Sequence, residues 1–137
     1  MTILADTGAL YALIDRDDAW HLRVRGWWKR VTDEIRVPVA VLPELTYLLQ
    51  RRIGAHAELE FTRALANGEF TVEPLLDEDI NRAADIMAIY ADTPIGFVDA
   101  TFAATAERLG IVSLLTTDRR HFLLIRPQHA SAFRLLP

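Results

Sequence analysis

Short apolar runs alternate with longer segments of helical spacing along this chain. A brief apolar or β-branched run that ends at a polar residue is typical of a buried strand, whereas apolar residues three and four apart indicate a helix. The predicted strands are Thr2–Ala5, Ile35–Val41, Phe70–Val72, Ile111–Thr116 and Phe133–Leu135. The predicted helices are Gly8–Ile14, Ala19–Thr32, Pro43–Arg52, Ala55–Ala66, a segment from Asp77 that ends before Thr93, and Gly96–Leu109. This alternation predicts an α/β domain with a central, mostly parallel sheet of four or five strands.

The helix that begins at Asp77 carries three acids in its first turn, where the helix dipole favours negative charge. Several apolar residues follow helical spacing along it and are predicted to face the core. These residues are Ile80, Ala83, Ala84, Met87 and Ala91.

Two of the three tryptophans fall on one face of the helix predicted over residues 19–32. Trp20 and Trp27 are seven residues apart and share this face with Val24 and Val31. The spacing predicts a stripe that is buried in the core or in a dimer contact. Stacking of nucleic-acid bases on these rings is the competing interpretation, and Trp28 lies off the stripe.

Four carboxylates stand where apolar runs end: Asp6, Glu44, Asp99 and Asp118. If these runs are neighbours in one parallel sheet, their ends line one edge, and the four acids meet in one crevice. Such a cluster repels itself unless it holds cations or protons. Carboxylate oxygens are the ligands that hard divalent ions such as Mg²⁺ and Mn²⁺ select. The pattern therefore predicts a metal site.

Each acid also has a local explanation that needs no site. Asp6 and Asp118 are suited to capping the segments that follow them. Glu44 follows a proline that suits the first turn of a helix, where the dipole favours it. Asp99 is different because its helical face, shared with Phe102, is otherwise apolar, and a carboxylate there is costly without a partner. Capping alone would not require the four carboxylates to converge.

Length and composition fit one globular domain over residues 1–137, with 51% hydrophobic and 25% charged residues. No apolar run approaches the roughly 18 residues that span a bilayer. Asp6 interrupts the first apolar stretch, which argues against a signal peptide and favours a cytoplasmic location. The absence of cysteine excludes disulfides and thiolate metal sites, and the four histidines do not have zinc spacing.

The net charge of −4 argues mildly against nucleic-acid binding. The kind of basic residue matters more, because 14 of the 15 are arginine, whose forked guanidinium suits phosphate. Solvated helix ends and loops explain each arginine equally well. The candidate phosphate contacts are Arg16, Arg51, Arg52, Arg119 and Arg120.

At the acidic positions the sequence resembles PIN domains, and most of all the VapC toxins of prokaryotic toxin–antitoxin pairs. The resemblance extends over essentially the whole chain, and its first and last stretches are the specific ones. The matching stretches are Leu4–Leu13, Asp15–Asp18 with His21, Pro43–Glu44, Phe97–Ala100 and Thr116–Phe122.

The resemblance implies a three-layer α/β/α fold and a metal-dependent ribonuclease. Asp6, Glu44, Asp99 and Asp118 then form the catalytic quartet. In this interpretation Asp6, Asp99 and Asp118 hold Mg²⁺ or Mn²⁺. The implied substrate contacts are Thr7, Thr117, Arg16 and Arg119. Gly8 stands where many relatives carry a polar residue.

The resemblance also implies partners: RNA as substrate, a VapB-type antitoxin, and a second copy of the chain. An alternative is a catalytically weak or inactive domain that acts by binding another protein. Two other α/β families with acids at strand ends fit less well. Receiver domains need a lysine after a late strand, but the only lysine is Lys29; aspartate-nucleophile phosphatases carry a second aspartate where Gly8 stands.

Overall fold

A computed structural model describes all 137 residues. Five strands form one sheet in the order β3-β2-β1-β4-β5, and every neighbouring pair is parallel. The strands are β1 Thr2–Ala5, β2 Glu34–Pro38, β3 Thr71–Glu73, β4 Ser113–Leu115 and β5 Arg134–Leu136. The predicted α/β architecture with a central parallel sheet is therefore confirmed.

Seven helices connect and cover the strands. They are α1 Thr7–Ile14, α2 His21–Trp28, α3 Leu42–Arg52, α4 Ala55–Ala66, α5 Asp77–Ile89, α6 Phe97–Leu109 and α7 Arg119–Leu124. Helix α2 is shorter at both ends than the predicted helix over residues 19–32. Strand β2 ends at Pro38 rather than Val41, because the chain enters a short 3-10 turn over Val39–Val41 that leads into α3. The six-residue α7 was not predicted as a helix.

Helix α5 buries a different face from the one that the sequence predicts. Ala83 is buried as predicted, but the buried face also carries Asp79, which is 1% exposed, and Ile86. The Asp79 carboxylate accepts hydrogen bonds from the Arg108 guanidinium on α6 at 2.8 and 3.0 Å, and from the backbone N–H of Leu76 at 3.0 Å. These bonds make burial of the charge tolerable and fix the rotation of the helix. The predicted core positions that are instead exposed are Ile80, Ala84, Met87 and Ala91.

Two further ion pairs tie α6 to its neighbours. Arg108 on α6 donates to Glu73, at the end of β3, at 3.2 Å. Glu73 also accepts a hydrogen bond from Arg36 of β2 at 2.8 Å. Arg82 on α5 binds Glu107 on α6 at 2.8 and 3.3 Å. Because α6 carries Asp99, these contacts also set the position of that carboxylate.

The predicted tryptophan stripe belongs largely to the core. Val24 is fully buried, and Trp27 and Val31 are partly buried against the core cluster. Trp28, off the stripe, also packs there, with its ring 5.7 Å from that of Phe70. Trp20 is the exception: it is half-buried and is not part of the core cluster. None of the helices has the length and apolar character that a membrane crossing requires.

Candidate functional site

The candidate site lies where the sheet connections change direction. From β1 the chain continues to β2 and β3 on one side of the sheet, and later to β4 and β5 on the other. Ligands of open α/β sheets bind at the carboxyl ends of the strands at such a point. Asp6 follows β1 directly, and its backbone N–H donates to the Leu115 carbonyl of β4 at 3.0 Å. Asp118 follows β4 on the same edge.

All four predicted acids meet in this crevice. Asp6, Glu44, Asp99 and Asp118 line one cavity of about 420 Å³, together with residues of the α1 N-terminus. Helix α3 supplies Glu44 and α6 supplies Asp99. Asp6 is buried and Asp99 is half-buried, whereas Glu44 and Asp118 are exposed. The four side chains therefore meet as predicted, but the premise that all four follow strands of the sheet is wrong: only Asp6 and Asp118 follow strands, and Glu44 and Asp99 lie in the first turns of helices.

Asp6 caps α1 and has a raised pKa. Its Oδ1 accepts the backbone N–H of Ala9 at 2.9 Å, and its Oδ2 forms a short hydrogen bond with the Thr116 hydroxyl. Burial raises the pKa of Asp6 from an ordinary 3.8 to about 7; the hydrogen bonds oppose this, and the charges of Asp99 and Asp118 add to it. In the protonated form Asp6 can donate to Thr116, whose hydroxyl then donates to the Asp118 carbonyl at 3.0 Å.

His121 is a site residue that the sequence interpretation did not single out. Its Nδ1 lies 2.7 Å from Oδ2 of Asp99. One potential ligand atom from each of Asp99, Asp118 and His121 lies within 4.8 Å of the other two. The available signal was the three-residue spacing from Asp118, which places His121 one turn along a helix that begins after this acid.

The threonines of the site differ in their contacts. The Thr7 hydroxyl is buried in the cavity wall and has no hydrogen-bond partner. The Thr117 hydroxyl instead packs against Gly8, where an added Cβ would lie 2.5 Å from it. Thr116, which the sequence interpretation missed, is the residue that binds Asp6. Gly8 therefore provides the room that Thr117 occupies beside the cavity.

Comparison with known proteins decides the family. The PIN domain family model matches residues 3–126. The chain belongs to the PIN domain family. It is 35% identical over 135 residues to Ribonuclease VapC26 of Mycobacterium tuberculosis, an alignment that covers 98% of this chain and 100% of the relative.

Solved structures agree with this assignment. The PIN fold of this chain superposes on the crystal structure of VapC20 from Mycobacterium tuberculosis, a sarcin–ricin loop cleaving toxin, with a TM-score of 0.78 and 25% identity. That match covers 87% of this chain and 93% of VapC20. A DNA-bound VapBC structure from Salmonella typhimurium gives a TM-score of 0.74 at 19% identity, covering 98% of this chain and 96% of the other, and supports the fold alone.

None of the predicted arginine contacts lines the acidic cavity of this PIN domain. Arg119 follows Asp118 directly, and its guanidinium donates to the Pro137 carbonyl at 2.8 Å. Arg16 lies beyond the far end of α1 and does not line the acidic cavity. Any contact that Arg16 makes with a substrate is therefore remote from the four acids.

The donor set of this PIN domain fits a hard divalent cation. Four carboxylates line the cavity without a lysine or arginine partner, His121 lies against Asp99 beside it, and a buried hydroxyl in its wall lacks a partner. Oxygen-rich sites of this kind suit Mg²⁺, and an added imidazole also suits Mn²⁺. A bound cation would offset the repulsion among the carboxylates.

Proposed function

We propose that this PIN domain is a Mg²⁺- or Mn²⁺-dependent endoribonuclease, the toxin of a toxin–antitoxin pair. The observation that supports this most is the meeting of Asp6, Glu44, Asp99 and Asp118 in one cavity. The 35% identity to a relative named as a ribonuclease over nearly the whole chain agrees with it. We also propose that residues 1–137 act as a single domain.

Each side chain has a role that follows from its position. Asp6, Asp99 and Asp118 hold the cation, with His121 at hydrogen-bond distance from Asp99. A bound divalent ion would lower the pKa of a water molecule and neutralise charge on a phosphodiester. Glu44, exposed at the cavity wall, orients the surrounding waters or a second ion.

The substrate contacts extend outward from this centre. The Thr7 hydroxyl, which has no protein partner, can donate to a phosphate oxygen in the cavity. Arg119 is beside Asp118 and suits the adjacent phosphate. Thr117 and Arg16 do not line the cavity, so in this proposal they contact RNA beyond the scissile bond.

Removal of divalent metal tests the proposed reaction. Purified full-length protein is incubated with labelled ribosomal, transfer and messenger RNA in Mg²⁺ or Mn²⁺, and then with EDTA. We expect cleavage that stops with EDTA and returns when the metal is restored, because the carboxylate cluster cannot approach a phosphate without a cation. Cleavage that EDTA leaves unchanged would contradict the metal-dependent mechanism.

An antitoxin of the VapB type is the proposed protein partner. The unneutralised acids of the cavity would bind an arginine-bearing segment through charge-assisted hydrogen bonds. We propose that the protein acts in the cytoplasm, where it would meet both its RNA substrate and a VapB-type antitoxin. The alternative of an inactive binding module is less well supported, because all four carboxylates are present and converge. Calorimetry that detects no metal binding, alongside tight binding of a partner, would favour it.

We propose a homodimer through the exposed apolar face of α5, where Ile80 is 42% and Met87 39% exposed. An unpaired apolar face of this kind is typical of an interface. Ile80→Glu and Met87→Glu are expected to convert a dimer to a monomer in sedimentation equilibrium. Leu22→Glu, on the exposed surface of α2, is the control and should leave the mass unchanged. A monomeric parent protein at high concentration would end this proposal.

A further inference from the structure

We infer that Trp20 is a positioning residue that holds the guanidinium groups of Arg23 and Arg119 as contacts for RNA phosphates beside the acidic cavity. This inference rests on the proposed ribonuclease function. It assigns a role to the one tryptophan that the core does not use.

Trp20 contacts both arginines through its ring. The guanidinium carbon of Arg23 lies 4.5 Å from the ring centroid, and that of Arg119 lies 5.4 Å from it. Both distances are within the range of cation–π attraction. The backbone N–H of Trp20 donates to the Asp18 carboxylate at 2.8 Å, which fixes the start of this segment. Two cations from distant parts of the chain are therefore gathered at one indole.

Arg119 is held in place without losing its charge. Its guanidinium donates to the Pro137 carbonyl at 2.8 Å, and its buried Nε has no hydrogen-bond partner. The electron-rich face of Trp20 is the group that compensates this burial. Arg119 directly follows Asp118, which lines the acidic cavity, so the two residues are neighbours along the chain at the edge of that cavity.

Neither arginine pairs with the side chain of an aspartate or glutamate. The arginines of this chain that lie within 4.0 Å of a side-chain carboxylate oxygen are Arg36, Arg82 and Arg108. A carboxylate could hold Arg23 or Arg119 equally well, but it would cancel the positive charge. A neutral aromatic ring orients a guanidinium and leaves its charge available, which is the requirement for binding a phosphate.

The location favours RNA as the occupant. The acidic cavity repels a polyanion everywhere except at a bound cation, so binding needs positive charge at its edge. The segment over residues 16–30 supplies it, with five basic and two acidic residues in a chain whose net charge is −4. The Trp20 group joins this basic segment to Asp118.

The salt dependence of RNA binding tests the inference. The probe is a fluorescein-labelled single-stranded oligouridine of roughly 12 nucleotides, bound to the full chain in EDTA and followed by anisotropy. Each phosphate contact contributes about 0.7 to the slope of log Kd against log salt. We expect Arg23→Gln and Arg119→Gln each to lower the slope by about 0.7, and Trp20→Leu to lower it by up to about 1.4.

Two variants separate positioning from a structural role. Trp20→Phe retains an aromatic face and should keep most of the slope, whereas a loss of packing alone would not change the slope in Trp20→Leu. Arg63→Gln is the matched control, because Arg63 is exposed on α4 and lines neither the acidic cavity nor the grooves beside residues 16–30. Its slope should equal that of the parent protein.

The inference is overturned if folded Trp20→Leu keeps the parent slope. It is equally overturned if Arg23→Gln behaves like Arg63→Gln, a test that stands even if Trp20→Leu fails to fold. Parent protein that binds the probe at no salt concentration, neither in EDTA nor after Mn²⁺ is restored, also overturns it. The cleavage assay with EDTA and restored metal decides the proposed function independently, so the two failures can be told apart.

Discussion

Replacement of Asp99 by asparagine is expected to lower RNA cleavage by about 10²–10³-fold without unfolding the protein. Asparagine keeps an oxygen that can accept the hydrogen bond made by His121 Nδ1, which lies 2.7 Å from Asp99 in the structure. What it removes is the negative charge. The substitution therefore tests the charge that binds the cation, while the geometry of the pair is retained.

The measurement combines cleavage rates in Mn²⁺ with Mn²⁺ binding by calorimetry, and we expect both to be lost together. Asp85→Asn is the matched control, because Asp85 is an exposed aspartate on α5 outside the acidic cavity. Its activity should equal that of the parent protein. If Asp99→Asn cut RNA at the parent rate, Asp99 could not be a ligand of the reacting metal.

Replacement of Asp6 by asparagine is expected to abolish activity and yet to stabilise the metal-free protein at pH 8. The buried carboxyl has a pKa of about 7 in the folded chain, against an ordinary value of 3.8. The folded protein thus holds this proton more tightly than the unfolded chain. Its free energy of unfolding is expected to fall as the pH rises from about 4 to about 7, and to be level above that.

The difference between these two pKa values corresponds to at most about 4 kcal/mol at pH 8. Asparagine cannot ionise, but its amide can still accept the Ala9 N–H and donate to Thr116. The gain in stability of Asp6→Asn should therefore shrink as the pH is lowered towards 4.

Urea unfolding of the metal-free protein at several pH values measures this effect, again with Asp85→Asn as control. With Mn²⁺ the parent protein should be more stable than Asp6→Asn, because the cation stabilises the ionised Asp6 of the parent protein and not the amide. An Asp6→Asn variant that is less stable than the parent at pH 8 without metal would show that burial of the charge is not costly at this position.

Both predictions describe the same property of the fold. Parallel strands β1 and β4 end side by side, and helices α3 and α6 bring two more acids to that point. We expect the resulting cluster to be destabilising until a cation binds. Sites of this kind commonly reduce stability in exchange for function.

The sequence by itself determined the alternation of strands and helices and the position of each acid. These features depend on local order: an apolar run ends, and a carboxylate follows. Because parallel strands end on one edge, local order was enough to predict that Asp6 and Asp118 would meet. Glu44 and Asp99 reach the same cavity from the first turns of α3 and α6, not from strand ends. The same local reasoning could not predict the rotation of α5.

Only the tertiary structure decided the remaining features, because their partners lie far away along the chain. The bond between Asp79 and Arg108, which lies 29 residues away, decides that the face of α5 with Asp79 is the buried one. The hydrogen bond between Thr116 and Asp6 joins residues 110 apart, and that between His121 and Asp99 joins residues 22 apart. Pairings of this kind are invisible to periodicity and spacing, since they are fixed by which surfaces the packed helices and strands bring together.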